Sequence, residues 1–308
     1  MDSNASHASM RSRLRHAFQA ALPLPHATES HLAGALQDTL QHPGSMVRAE
    51  LAYRVGCSLA LSEERAEHLA IAIEYFHTAS LLFDDLPSMD DARLRRGKPC
   101  AHHVYGEGAA ILAALAFINR AYSLIWKGVA GLAPEVQAAA LCYLERYLGI
   151  SGVLNGQSQD LHYSRLARHI SAPQSIAMGK TVSLIRLALV MPAIVAQARP
   201  EEVSLLERLA IFWGLTYQTL DDLKDVLYTE QGQGKTAARD AYLDRPNMAL
   251  TIGIPESFDR IDRLMNLGSR TITRLADARA PLAFLREVRV QFNKEIANLS
   301  EASLTRAS

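Results

Sequence analysis

The sequence predicts an all-α protein. Strand-type alternation of apolar and polar residues is absent, Ala and Leu are abundant, and apolar residues recur at alternating steps of four and three over long stretches. The 308 residues, 49% hydrophobic and 21% charged, suffice for a large core. No linker rich in Pro, Ser or Gly and no short repeat interrupts them. One all-α domain over 1–308 is therefore expected, with 1–25 a partly ordered N-terminal segment.

That segment carries Arg11, Arg13 and Arg15 but no apolar signal core, and Asp2 is out of character for a transit peptide. It reads as a frayed tail leading into a first helix. Ser62-Glu63-Glu64-Arg65 is a helix start, with a capping side chain and acids in the first turn. Leu69, Ile73, Phe76, Ser80 and Phe83 then form one helical face that ends at Asp84. His77 lies two turns back on the same side, and Pro87 breaks the helix. Further helices are expected over Gly106 to Lys127, over Pro134 to about Tyr163 with soft points at Gly149, Gly152 and Gly156, and over Pro173 to Val195. In Glu201 to about Tyr228, Leu206, Leu209, Trp213, Tyr217 and Leu220 make a buried face, while Gln218, Asp221 and Asp225 project to one side. Gln231 to Lys235 reads as a flexible loop, and helices over 257–277 and 281–300 close the chain. Charges or glycines interrupt the longest apolar stretches, so no transmembrane segment is expected.

Lys+Arg and Asp+Glu are 32 each, so no global field draws the chain to nucleic acid or to an anionic membrane, and no nucleic-acid partner is expected. The three cysteines, Cys57, Cys100 and Cys142, argue against a disulfide framework and fit a cytoplasmic location. Cys100, His102 and His103 have the wrong spacing for structural zinc. Trp126 and Trp213 read as core or interface residues.

Two acidic clusters stand out: Asp84-Asp85-Leu86-Pro87-Ser88-Met89-Asp90-Asp91 and Asp221-Asp222-Leu223-Lys224-Asp225, each ending an apolar helical run. Carboxylates that close repel one another unless cations neutralise them. Mg²⁺ suits them, since it takes one or two carboxylates, several waters and a substrate phosphate. The clusters suggest two walls of one site that holds an anionic substrate through metal. Basic residues support that reading. Arg95 and Arg96 follow the first cluster and suit bidentate grip of phosphate oxygens. Lys180 interrupts an apolar helix, and Lys235, Asp240 and Arg245 follow the second cluster.

These segments resemble those of the trans-isoprenyl diphosphate synthases, the polyprenyl synthetase family. His77 to Phe83 followed by DDLPSMDDARLRRGKP is similar to the first aspartate-rich motif, in its bacterial and plant form with two extra residues. Tyr217 to Asp225 is similar to the second. Lys180-Thr181 and Gly156 to Leu161 fall where the family has a Lys-Thr pair and a Gly-Gln…Asp-Leu segment. The match runs from about residue 40 to about 300 and is nearest to bacterial carotenoid-type geranylgeranyl diphosphate synthases. It implies an isoprenoid synthase-type helical bundle around a deep central cavity, homodimeric, condensing isopentenyl diphosphate with an allylic diphosphate and releasing pyrophosphate. About two or three Mg²⁺ ions would be held by Asp84, Asp90, Asp221 and Asp225, with Asp85 and Asp222 in the same clusters and Asp160 and Asp240 behind them. Arg95, Lys180, Lys235 and Arg245 would bind the allylic diphosphate, and Arg48, His77 and Arg96 the isopentenyl diphosphate. Thr181 and Gln218, with Lys180, would face the developing allylic cation. Small residues at Ala79 and Ser80, one turn before Asp84, imply a product of geranylgeranyl length.

Two departures from the family pattern bear on function. Its Gly-Lys-Arg-x-Arg-Pro segment reads Gly44-Ser45-Met46-Val47-Arg48-Ala49 here. Two phosphate-binding cations are lost, at about 1.5–3 kcal/mol per charge-assisted bond. Its later Lys-x-Thr reads Asp244-Arg245-Pro246-Asn247. An alternative follows from the first: a terpene cyclase-like enzyme, or one using another acceptor, which ionises a prenyl diphosphate without isopentenyl diphosphate. A regulatory subunit would have no use for the aspartates or Lys180.

Overall fold

The computed structural model describes residues 3–165, 171–228 and 243–307. They are helical almost throughout, as the sequence predicts, with one exception. Leu94–Arg95 and Lys98–Pro99 form a two-residue antiparallel hairpin, β1 and β2, too short to show alternation in sequence. The chain divides into two compact units, Met1–Gln137 and Ala138–Ser308.

The first unit contains α1 (Ser3–Ala20), α2 (Ser30–Gln41), α3 (Val47–Ser58), α4 (Glu63–Asp84), α5 (Ala101–Tyr105) and α6 (Glu107–Val129). Ser62 caps α4, accepting from the Arg65 amide at 3.3 Å. The predicted apolar face of α4 is buried at Leu69, Ile73 and Phe76 and half-buried at Ser80 and Phe83. It packs along α6 and against α3. Phe18, Tyr75 and Phe117 form the aromatic centre, with Phe18–Tyr75 and Tyr75–Phe117 ring centroids each 4.9 Å apart. The Tyr75 hydroxyl donates to the Phe18 carbonyl at 2.6 Å, fastening α1 to α4. Leu14 and Phe18 bury one stripe of α1, so the predicted N-terminal segment contains an ordered helix.

The second unit holds most of α7 (Pro134–Leu148), then α8 (Val153–Leu161), α9 (Ala172–Ala177), a π-helical turn (Met178–Val182), α10 (Ser183–Val195) and α11 (Pro200–Leu227). After residues 229–242 come α12 (Met248–Ile252), α13 (Ile254–Ala278) and α14 (Leu285–Ala307). The single helix expected over Pro134 to Tyr163 is two. A turn closed by the Gly152 amide on the Gly149 carbonyl at 3.0 Å separates α7 from α8, at two of the predicted soft points. The helix expected over Pro173 to Val195 exists, but with a wide turn inside it. A Cβ on Gly156 would collide with the backbone of Gly179 and Lys180, so α8 crosses that turn at backbone contact.

α11 packs on α10 and α13. Leu206, Leu209, Trp213 and Leu220 bury the predicted face, but Tyr217 is 37% exposed. Tyr217 lies one turn before Asp221, where the apolar face gives way to the acidic one. Trp213 is a core residue, its ring 5.7 Å from Phe292, whereas Trp126 is 58% exposed. Glu107–Val129 and Ala172–Val195 are long and apolar enough to cross a membrane by length and composition alone, more than the sequence reading allowed. Most of the second is buried within the protein.

Candidate functional site

In the first unit, α4 delivers Asp84 at its last turn. The chain then folds back on the helix end. The Asp90 amide donates to the Asp84 carbonyl at 2.9 Å, Asp91 to Leu86 at 3.0 Å and Ala92 to Asp85 at 3.1 Å. Asp84 and Asp90, six positions apart in sequence, thereby become backbone neighbours. Asp85 points inward instead, 4% exposed, and takes Arg95 Nε at 3.0 Å and Nη2 at 2.5 Å. Burial opposes the Arg95 charge, but the Asp85 carboxylate overcomes it and raises the guanidinium above its ordinary value. Burial also pushes the Cys100 thiol up to about 12, with Asp85 adding to the effect.

Arg48 is 7% exposed, with Nη1 3.2 Å from His77 Nε2. Burial holds His77 well below its ordinary value, and Arg48, Arg96 and Arg95 push it the same way. His77 is thus a neutral imidazole among guanidinium groups. Behind it Glu74 accepts the Ala49 amide at 3.0 Å; burial raises its pKa, against the pull of Arg48. Arg96, in the hairpin turn, donates to the His42 carbonyl at the end of α2 at 2.9 Å. Its guanidinium lies where a Cβ on Gly44 would be, and Gly44 has φ +74°. Arg48, His77, Arg95 and Arg96 are therefore brought together. A cavity of about 350 Å³ lies beside them, lined by Asp85, Arg95, Arg96, Lys98, Gly44 and Thr78 among others. Ala79 is buried at 1%, while Ser80 is half-buried and donates to the His77 carbonyl at 2.8 Å.

In the second unit, the crossing at Gly156 sets Asp160 beside the π turn, and Lys180 Nζ donates to Asp160 Oδ2 at 2.9 Å. The Thr181 hydroxyl donates to Gln218 Oε1. Gln218 Nε2 in turn donates to Asp222 Oδ1 at 2.8 Å. Asp222 also accepts the Met248 amide on Oδ2 at 2.7 Å, and its backbone carbonyl takes Asn247 Nδ2 at 3.1 Å. Arg245 Nη1 donates to the Asp160 carbonyl at 3.2 Å. Lys180 and Arg245 thus meet on Asp160, while Thr181, Gln218 and Asp222 form a second hydrogen-bonded set that starts from the residue next to Lys180. Asp221 and Asp225 share the next face of α11, half-buried and buried respectively. Lys235, Asp240 and the predicted loop at Gln231 to Lys235 lie outside the described residues.

Sequence reasoning named Asn247 only as a departure and missed its role. It is 2% exposed, caps α12 through the Leu250 amide at 3.0 Å, and anchors Asp222. Its position just before an apolar run was the available signal. Glu74 was missed because nothing local marks a buried carboxylate inside an apolar helix.

The acidic donors fit a hard cation. Asp84, Asp90, Asp221 and Asp225 offer carboxylate oxygens, the ligands Mg²⁺ takes. Among the described residues, no three carboxylate, imidazole or thiolate groups are gathered closely enough to hold an ion. Asp85 and Asp222 are committed to protein donors.

Residues 29–278 match the polyprenyl synthetase family. A putative geranylgeranyl pyrophosphate synthase 8, chloroplastic, of Arabidopsis thaliana is 35% identical over 257 residues, covering 82% of this chain and 71% of that protein. A geranylgeranyl diphosphate synthase of Pantoea ananas is 36% identical over 223 residues, 71% of this chain and 72% of that one. The chain spans less of some plant relatives, such as 61% of a Capsicum annuum synthase. A solved geranyltransferase from Helicobacter pylori, complexed with magnesium and isoprenyl diphosphate, superposes with TM-score 0.82 at 24% identity, covering 98% of this chain and 99% of that one. That likeness shows the same all-α fold. The chain belongs to the polyprenyl synthetase family, the trans-prenyltransferases.

Proposed function

We propose that this chain condenses isopentenyl diphosphate with farnesyl diphosphate, or a shorter allylic diphosphate, to give geranylgeranyl diphosphate and pyrophosphate, with Mg²⁺. The observation that carries this reading is the basic cavity of the first unit. Arg95 and Arg96 line it, and neutral His77 sits beside Arg48 two turns before Asp84 on the same helix. Guanidinium groups gathered around an uncharged ring call for an anion, and a diphosphate supplies one.

Arg48, His77 and Arg96 would hold isopentenyl diphosphate. Arg95, Lys180, Lys235 and Arg245 would hold the allylic diphosphate. Asp84, Asp90, Asp221 and Asp225 would carry the metal. Asp85 and Asp222 support these ends, tied to Arg95 and to Gln218 and Met248, while Asp160 holds Lys180; Asp240 would have a supporting role. When bound there, Mg²⁺ would neutralise the diphosphate and make it a better leaving group. As the carbon–oxygen bond breaks, its electron pair leaves with pyrophosphate, and Lys180 would meet that charge. Gln218 is held at both ends, by Thr181 and by Asp222, so these dipoles need no reorientation as the allylic cation develops. The isopentenyl double bond then attacks the cation, and the released pyrophosphate takes the proton lost from the new chain.

The plant and bacterial relatives named geranylgeranyl synthases support the product length, as do the small Ala79 and Ser80. We also propose a homodimer, supported by the exposed apolar side chains of Ile111, Leu115, Tyr122 and Trp126 along α6. A cytoplasmic location is supported by three free thiols.

The test is product analysis by mass spectrometry with each allylic donor and Mg²⁺. Isopentenyl diphosphate should enter a geranylgeranyl product, and chelation of Mg²⁺ should abolish it. Ser45 and Met46 favour a second reading, ionisation without elongation. Under it, a prenyl diphosphate alone with Mg²⁺ would yield a hydrocarbon or alcohol.

A further inference from the structure

Ser45 and Met46 stand where two cations for the isopentenyl diphosphate are expected, and they contribute none. Ser45 is exposed and uncharged, and Met46 turns into the core, 4% exposed, on a left-handed backbone with φ 54°. Yet the neighbouring cavity is strongly basic. Arg15, His42, Arg95, Arg96 and Lys98 line it, opposed among the described residues by two carboxylates, Asp38 and Asp85. Those carboxylates are engaged: Asp85 holds Arg95, and Asp38 lies 3.2 Å from His42 Nδ1.

Arg15 and Lys98 were not among the residues expected to bind. Arg15 comes from α1, far away in sequence. Its side chain also borders a small gap beside Ser45 and Met46, so it stands next to the positions that lost their charge. Among the described residues Arg15 has no hydrogen-bond or ion-pair partner. The nearby carboxylate, Glu50, is already taken by His7 at 2.5 Å, Arg11 at 3.0 Å and Arg54 at 3.6 Å. Lys98 Nζ rests against His42 Nε2 at 2.5 Å and has no carboxylate partner among the described residues. α1 is fastened by buried Leu14 and Phe18 and by Arg13 Nε on Glu67 at 2.7 Å. Arg15 is therefore held at the cavity rather than carried on a loose tail.

We propose that Arg15 and Lys98 bind the diphosphate of the isopentenyl substrate, replacing from α1 and the hairpin the cations absent at Ser45 and Met46. This rests on the reading of the chain as an elongating prenyltransferase. Both groups would act on affinity for one substrate and not on the chemical step.

The test compares Arg15→Gln, Arg15→Lys and Lys98→Gln with the native protein. Each glutamine variant should raise KM for isopentenyl diphosphate roughly 10- to 100-fold. Changes in kcat and in KM for the allylic substrate should stay within about twofold, since uniform binding is what is lost. Arg15→Lys should recover most of the loss, and Ser45→Lys added to Arg15→Gln should restore affinity at the vacated position. Unchanged unfolding midpoints confirm intact folding, as expected for exposed side chains. Native elongation with unaltered isopentenyl KM in both glutamine variants overturns the proposal and leaves the enzymatic reading standing. If the native protein does not elongate, that reading falls, and titration with inorganic pyrophosphate under Mg²⁺ chelation decides the site alone. Weaker binding in the variants supports the two cations, and equal binding removes them.

Discussion

Asp85 and His77 show how single charges are disciplined in this chain. Asp85 is the second residue of an acidic run, yet it is buried against Arg95 and fixes the run that follows. His77 is kept neutral by burial and three guanidinium groups, so its folded pKa lies well below 6.5. Below that value the unfolded chain takes up a proton that the folded one refuses. Stability should therefore fall with acidification, by about 1.4 kcal/mol per pH unit. His77→Gln should flatten that slope, in urea unfolding between pH 5 and 6.5 by comparison with native protein. An identical slope would mean that His77 does take a proton in the folded state. Product length is a second residue-scale matter. Ala79 is fully enclosed, so a large side chain there would strain the core. Ser80 is only half-buried and so less confined. Ser80→Phe should shorten the main product to farnesyl length by mass spectrometry, and an unchanged geranylgeranyl product would reject it as the determinant.

At the scale of elements, the second unit relies on helix ends fastened to each other. Glu202, solvent-inaccessible in the first turn of α11, accepts the Arg199 amide at 2.9 Å and Arg279 Nε at 2.7 Å, joining the start of α11 to the end of α13. Burial disfavours its charge, but Arg279 and Arg199 outweigh this and lower the carboxyl to about 2. A depressed carboxyl stabilises above its unfolded value of 4.5 and loses that contribution as pH falls toward 2. Glu202→Gln should cost about 2–3 kcal/mol at neutral pH, and the difference from native should shrink between pH 4.5 and 2. A pH-independent difference would point to packing instead. Elements also set the limit of sequence reading here. Helix periodicity located α4 and α11 because their partners repeat along one face. The β1–β2 hairpin has no period to detect, and the π turn looks like ordinary helix in one dimension.

Across the whole molecule, the all-α class and both acidic segments were legible because they depend on local pattern and composition. Arg15 was not, because its relation to Lys98 exists only after α1 docks. Nor was the exposure of Trp126, which depends on what α6 leaves uncovered. That surface makes a prediction of its own. Native protein should sediment as a dimer, and Leu115→Asp with Trp126→Asp should give monomer with unchanged helical content. A native monomer would assign the α6 face to some other partner.

The π turn at Met178–Val182 carries one residue more than a regular helix needs. Within it the consecutive side chains Lys180 and Thr181 meet different partners, Asp160 and Gln218. The surplus makes the turn a point where the chain tolerates a change of length. Removing one residue there would leave α9 and α10 in their present rotational phase, so the core would survive. What would change is the register that sets Lys180 against Asp160 and Thr181 against Gln218. A deletion at this place should thus yield a folded but inactive protein, separating the architecture of the second unit from its chemistry by a single codon.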